Sequence, residues 1–216
     1  MIKTALLGHP LGHSLSGAIH TAGYKSVGLE GKYDVIDVPP EKLKETIERL
    51  KNEGYSGFNV TIPYKVDVKK QLSLWDMLVD YAGCTNCVRI KPNGEMYGYN
   101  TDIYGFTEAI PEEMRAKLEG KKALVLGNGG AARAVAVALV MMKVANIDFR
   151  VRSLEKSAEL KGLMDTKFKK TTCQMVQTLT DVSEYSIIVN TTPLGTTGQN
   201  KDKMPIATSL LEKANK

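Results

Sequence analysis

The sequence has no apolar stretch long enough to span a membrane, and Met1-Ile2-Lys3 runs straight into a strand rather than a signal peptide. A soluble, cytoplasmic protein is the expectation. Cysteine is scarce. Cys84, Cys87 and Cys173 are an odd number, and the lone Cys84-x-x-Cys87 has no second pair behind it, so no metal site is expected. The pair reads either as a redox dithiol or as two small residues in or near a strand. Charge of one sign never accumulates. The 29 Lys and Arg against 24 Asp and Glu leave a net charge of +5, but the lysines are scattered and form no stripe for nucleic acid. A diffuse excess of that size suits an anionic small molecule equally well. Internal repeats and low-complexity linkers are missing too. What remains, 43% hydrophobic and 25% charged over 216 residues, is a globular chain with a real core, long enough for two small domains or one large one.

The chain is organised around Gly127-Asn128-Gly129-Gly130-Ala131-Ala132. Ahead of it, Lys121 to Leu126 reads as a buried parallel strand, and behind it Arg133 to Met142 reads as a helix. A strand-to-helix turn of this kind is where a dinucleotide fold needs its glycines. Gly127 would allow the tight turn, Gly129 would let backbone approach a pyrophosphate, and Ala132 would let helix and strand pack closely. The helix N-terminus offers unpaired N–H groups to phosphates. A tight turn with no ligand is the alternative. The next strand, Asn146 to Arg152, ends in Arg150-Val151-Arg152-Ser153. A carboxylate there would favour NAD; an arginine fork fits a 2′-phosphate and favours NADP. A helix from Glu155 to about Met164 follows. The apolar strand Ile187 to Val189 then runs into the polar loop Asn190-Thr191-Thr192.

The first half reads βαβαβ, with strands at 2–7, 32–38 and 56–60 and helices at 18–27 and 41–52, which implies parallel pairing. On the second helix, Leu43, Ile47 and Leu50 share one face, and Glu45 can pair with Arg49. Ser14 and Ser16 precede the first helix, where either could cap it or both could donate to a carboxylate. Asn59, Thr61 and Lys65 follow the third strand, at the end where open α/β sheets bind ligands. A solvated surface charge is the plain reading of Lys65. A helix over 71–81 carries the only tryptophan, Trp75. A hairpin then turns at Asn93-Gly94, with strands at 83–90, which contains Asn86, and 95–98. Asp102 could cap the helix from Ile103 or face the crevice. The expected division is 1–102 and 103–216.

Taken together, these segments resemble the shikimate dehydrogenases from Met1 to about Leu211. The motifs keep that family's order: Gly8-His9-Pro10 with His13-Ser14-Leu15-Ser16 and His20, Asn59 to Lys65, Gly83-Cys84-Thr85-Asn86, Gly98 to Asp102 continuing to Gly105, then the glycine loop, Arg152-Ser153 and Asn190 to Gly195. The resemblance implies an α/β substrate domain and a Rossmann-type domain binding NADP. It implies reversible oxidation of shikimate to 3-dehydroshikimate, a step towards chorismate and the aromatic amino acids. Lys65 and Asp102 would be the catalytic pair, with Lys65 in proton transfer and Asp102 tuning it. Ser14 and Ser16 would bind the substrate carboxylate, and Asn59, Thr61, Asn86 and Thr101 its hydroxyls. Gly127 to Ala132, Arg152, Ser153, Asn190, Thr191 and Thr192 would hold the cofactor. Gly17, Thr21, Cys84, Cys87, Asn128 and Val151 depart from the family pattern without removing a catalytic group.

The resemblance also implies further strands and helices after Lys216, supplying a tyrosine and a glutamine to the substrate site. A nucleotide domain without its last elements is therefore expected, either weakly active or completed by a partner chain, with a homodimer among the assemblies admitted. Alternatives are a shikimate- and NADP-binding chain without turnover, and a dehydrogenase of quinate or a related cyclic polyol acid.

Overall fold

The computed structural model describes residues 1–12, 14–196 and 200–214, divided into two compact units, Met1–Thr101 and Asp102–Lys216. His13, part of the expected opening loop, lies outside the described residues.

The first unit begins with β1 (Ile2–Gly8), α1 (Ser16–Ser26), β2 (Gly31–Asp37), a 3-10 turn (Pro40–Lys42), α2 (Leu43–Asn52) and β3 (Gly57–Val60). Strand β1 lies between β2 and β3 and is parallel to both. The apolar face of α2 is the expected one: Leu43, Ile47 and Leu50 are buried with Leu7, Phe58, Val60 and Tyr64. Each such side chain taken out of water contributes roughly 1.5–3 kcal/mol. The Tyr64 hydroxyl donates to the Val38 carbonyl, so its polar end is satisfied inside this core. The anticipated Glu45–Arg49 ion pair does not form. Glu45 pairs with Lys42 at 2.9 Å and Arg49 reaches Glu53 at 3.9 Å.

Beyond β3 the sheet changes character. After α3 (Lys65–Lys69), β4 (Leu74–Trp75) and α4 (Met77–Ala82) comes the hairpin of β5 (Cys87–Ile90) and β6 (Met96–Tyr99). The full order is β2-β1-β3-β5-β6-β4, with β5 antiparallel to both β3 and β6. The helix expected over 71–81 is instead a two-residue strand followed by a short helix. Leu74 and Trp75 pair with Tyr97 and Gly98 of β6, and Asp76 is extended and accepts a hydrogen bond from Val79 N–H, so the helix starts only at Met77. Asn86, expected within a strand, lies just ahead of β5.

The second unit holds α5 (Thr101–Ala109, its first residue in the first unit), α6 (Glu112–Ala116), β7 (Lys122–Leu126), α7 (Gly130–Met141), β8 (Asn146–Arg150), a 3-10 turn (Glu155–Ser157), α8 (Ala158–Lys167), β9 (Thr172–Val176), β10 (Ile187–Asn190) and α9 (Thr208–Ala214). Its four strands are all parallel, in the order β10-β7-β8-β9. Strand β7 leads to β8 and β9 on one side and has β10 on the other. That is the Rossmann-type arrangement, with its topological switch point between β7 and β10. Leu124 and Val125 of β7 are fully buried, as is Leu139 of the alanine-rich helix α7. That near-continuous apolar run is what a parallel strand covered on both faces requires. Across β7 and β8, Lys122 lies 3.0 Å from the buried Asp148 and 2.8 Å from Glu184, while Tyr185 donates to Asp148 at 2.7 Å. The hydrogen bond to Glu184, then that to Asp148, holds the Lys122 ammonium above its ordinary value. Among the described residues no helix is long and apolar enough to cross a membrane.

Candidate functional site

In the first unit the switch point lies between β1 and β3. The loop after β1 carries Ser14 and leads into Ser16, the first residue of α1, and the one after β3 carries Thr61 and leads into Lys65, the first residue of α3. Gly8 closes β1 because a side chain there would strike Thr61, Leu11 and the Ile62 carbonyl. The two loops therefore touch without a gap. Antiparallel β5 starts, and β6 ends, on this same edge, which places Asn86 and Thr101 beside Asn59. No part of this arrangement depends on the second unit.

The cluster is wired by hydrogen bonds. Tyr33 donates to Asn59 Oδ1 at 2.9 Å, and Asn59 Nδ2 reaches the Asn86 carbonyl at 3.4 Å. The Thr101 backbone N–H donates to Asn86 Oδ1 at 2.8 Å. A backbone N–H can only donate, which fixes the Asn86 amide oxygen on that side, and the Asn86 NH2 in turn donates to Thr101 Oγ1 at 2.9 Å. Both ends of the Asn86 amide are thus held by Thr101. The segment behind is pinned by three hydrogen bonds at two successive residues. Asn100 donates to the Cys84 carbonyl, Thr85 to the Tyr99 carbonyl, and the Thr85 N–H to the Lys65 carbonyl. Lys65, half-buried, is thus tied by its own backbone to the Asn86 loop.

Tyr33 is the member of this cluster that the sequence did not announce. Its ring stacks on His20 at 4.1 Å and 3°. Burial pushes its hydroxyl up to about 12, with Ser16 acting in the opposite direction. Alternation along β2 marks it as inward-facing, but nothing local names Asn59 as its partner. Neither serine caps α1 in the usual way. The N-cap is Leu15, without a side-chain cap, and Ser14 Oγ accepts the Ser16 N–H at 3.2 Å. Asp102 lies in the first turn of α5 rather than at its cap, because the helix begins one residue earlier. There it suits the positive end of the helix.

In the second unit the switch point is equally well formed. Gly127 has φ +118, and a Cβ there would stand 2.8 Å from Thr191 Oγ1. Thr191 is held in place by its own hydrogen bond to the Leu126 carbonyl at 2.6 Å. Asn190 Oδ1 accepts from the Thr192 N–H and hydroxyl at 2.9 and 2.7 Å, so the loop after β10 supports itself. Gly129 is exposed, with nothing within 4 Å of a would-be Cβ, and is the N-cap of the twelve-residue α7 with no capping side chain. At the end of β8, Arg152 is exposed and Ser153 half-buried. A narrow glycine turn, an uncapped helix N-terminus and an arginine at the next strand end make a donor set that fits a dinucleotide carrying an extra phosphate.

The cysteines take no part in a bridge. No disulfide joins Cys84, Cys87 or Cys173, and burial raises the thiols of Cys87 and Cys173, the opposite of what a reactive thiolate needs. No group of three or more His, Cys, Asp or Glu among the described residues could hold a metal ion.

Residues 6–88 match the sequence family described as the shikimate dehydrogenase substrate binding domain. Over 211 residues the chain is 35% identical to the shikimate dehydrogenase (NADP(+)) of Caldanaerobacter subterraneus subsp. tengcongensis, covering 97% of this chain and 74% of that protein. The chain belongs to the shikimate dehydrogenase family. Solved structures of the family agree. A shikimate dehydrogenase crystallised with NADP+ superposes with a TM-score of 0.83 at 34% identity, covering 97% of this chain and 73% of that one. The Thermus thermophilus enzyme, solved with NADP(H) and shikimate, gives 0.74 at 33% identity over 90% of this chain and 70% of that one.

Proposed function

We propose that this chain catalyses the NADP-dependent, reversible oxidation of shikimate to 3-dehydroshikimate. The observation that carries the proposal is the polar cluster of the first unit. Asn59, Asn86 and Thr101 are joined through hydrogen bonds, beside Thr61 and Lys65, at one sheet edge. A ring bearing several hydroxyls needs fixed partners of this kind. Ser14, in the loop after β1, and Ser16, the first residue of α1, are assigned to the substrate carboxylate. Unit 1–102 is the substrate domain in this reading and 103–216 the cofactor domain. Gly127 to Ala132 and Asn190 to Thr192 hold the pyrophosphate side, and Arg152 and Ser153 the 2′-phosphate.

When bound, NADP accepts the hydride. The chain's own task is the proton. As the carbon–hydrogen bond breaks, the hydroxyl proton must leave, and Lys65 is assigned to carry it and to stabilise the developing oxyanion. Asp102 supplies the carboxylate that holds and tunes it. The reading places the enzyme in the cytoplasm and admits a homodimer, which sedimentation would reveal.

The test follows NADPH formation by residues 1–216 with shikimate, with quinate and NAD+ as controls. Turnover with shikimate and NADP+ that Lys65→Ala abolishes, while shikimate still binds by calorimetry, is the expected result. Turnover unchanged in Lys65→Ala would refute the catalytic assignment. Failure to bind shikimate or NADP+ at all would refute the whole reading.

A further inference from the structure

One hydrogen-bond chain in the second unit joins the turn after β7 to the turn after β8. Ser157 ends the 3-10 turn that runs directly into α8 and has helical backbone angles, φ −105 and ψ −3. Its fully buried Oγ donates to the Ser153 carbonyl at 2.7 Å and accepts from Asn128 Nδ2 at 2.9 Å. Asn128 also lies 3.3 Å from the Lys156 carbonyl, and Ser153 Oγ accepts the Lys156 N–H at 3.2 Å. The glycine turn after β7 is thereby clipped to the turn after β8, through the residue that follows Arg152. A second link runs alongside: Arg133 of α7, buried to 5% exposure, meets Glu159 of α8 at 3.0 Å. The Arg152 backbone is held from a third side, its carbonyl accepting from Gln177 at 3.1 Å.

We infer that Asn128 is a positioning residue for the 2′-phosphate: through Ser157 it fixes the Ser153 carbonyl and so the backbone from which Arg152 reaches out. The clip joins the turn assigned to the pyrophosphate to the turn assigned to the extra phosphate. Those are the two points whose separation a phosphorylated dinucleotide must match. Without the clip the two loops would still exist, but Arg152 would have to be ordered when ligand binds. Ordering of that kind weakens binding.

The inference rests on the NADP reading above, and the test separates the two. Calorimetry with NADP+ and with NAD+ is run on the parent chain, Asn128→Ala, Ser157→Ala and the double variant, each checked for folding by thermal melt. One lost hydrogen bond is expected to weaken NADP+ binding roughly threefold to tenfold. NAD+ shares the pyrophosphate turn to which Asn128 belongs, so its binding should weaken too, but by a clearly smaller factor than that of NADP+. The double variant should bind no more weakly than either single one, since both remove the same link. In an Arg152→Ala background, Asn128→Ala should have no further effect, which a merely structural role would not predict. Equal losses for the two dinucleotides, or unchanged NADP+ binding, would overturn the inference alone. A parent chain that bound neither dinucleotide would overturn the NADP reading and this inference with it.

Discussion

Two glycines two residues apart in the same turn should respond oppositely to alanine. At Gly127 the backbone φ of +118 is essentially closed to a residue with a Cβ, which costs about 1–3 kcal/mol. The new methyl group would also stand 2.8 Å from Thr191 Oγ1. That oxygen is not free to retreat, because it is bonded to the Leu126 carbonyl at 2.6 Å. Displacing it forfeits about 1 kcal/mol more. Gly127→Ala should therefore destabilise the protein by roughly 2–4 kcal/mol. For a chain of this size that corresponds to a fall of about 6–12 °C in Tm. At Gly129 φ is −78 and nothing lies within 4 Å of the position a methyl group would take, so Gly129→Ala should leave Tm within a degree or two, about 0.5 kcal/mol either way. If the open side of Gly129 is where phosphate approaches, that variant should still weaken NADP+ binding. Scanning calorimetry of both variants, with and without NADP+, decides. A Gly127→Ala protein that melts with its parent would refute the steric argument, and a Gly129→Ala protein as unstable as Gly127→Ala would refute the contrast.

Further expectations concern the two cores. Lys122→Met leaves the buried Asp148 with Tyr185 but without its cation; because Lys122 is itself partly exposed, the loss should be about 1–3 kcal/mol, read from urea unfolding. Leu50→Ala empties a fully buried position beneath α2 and should cost about 2–5 kcal/mol by the same measurement. Tyr33 holds its proton more tightly folded than unfolded, since burial pushes it up to about 12 from an ordinary value of 10.0. Its contribution is therefore present below pH 10 and lost as pH rises through that window. Stability measured from neutral pH upward should fall less steeply in Tyr33→Phe than in the parent, and identical slopes would refute the assignment.

Much of the fold could be read from short apolar runs punctuated by glycine and proline. Strands β1, β2, β3, β7 and β8, the helix face of Leu43, Ile47 and Leu50, and the strand–glycine turn–helix unit at 127 all fall where the pattern placed them within a residue or two. Residues 71–81 misled because Leu72, Trp75 and Val79 have helical spacing, whereas pairing with β6 and the Asp76 cap are tertiary facts that no local window contains. Strand β9, with the sequence Thr172-Cys173-Gln174-Met175-Val176, is too short and mixed to announce itself. Within the candidate site, residue types at strand ends were legible. The wiring was not. That Tyr33 holds Asn59, and that Asn128 reaches Ser157, depends on which loops meet in space.

The β5–β6 hairpin turns at residues 91–95, where the Lys91 N–H meets the Glu95 carbonyl at 2.8 Å and Pro92 and Asn93 are exposed. Asn86 and Thr101 lie at the opposite ends of these two strands, with at least the four residues of each strand, about 13 Å of extended chain, between them and the turn. The tip of the hairpin is thus an engineering handle. A dye, an affinity tag or a new pair of chain termini placed at Pro92-Asn93 would ride on the same two strands that present Asn86 and Thr101, yet stay clear of both. It would report on this unit's order from outside, without competing for anything bound at the other end.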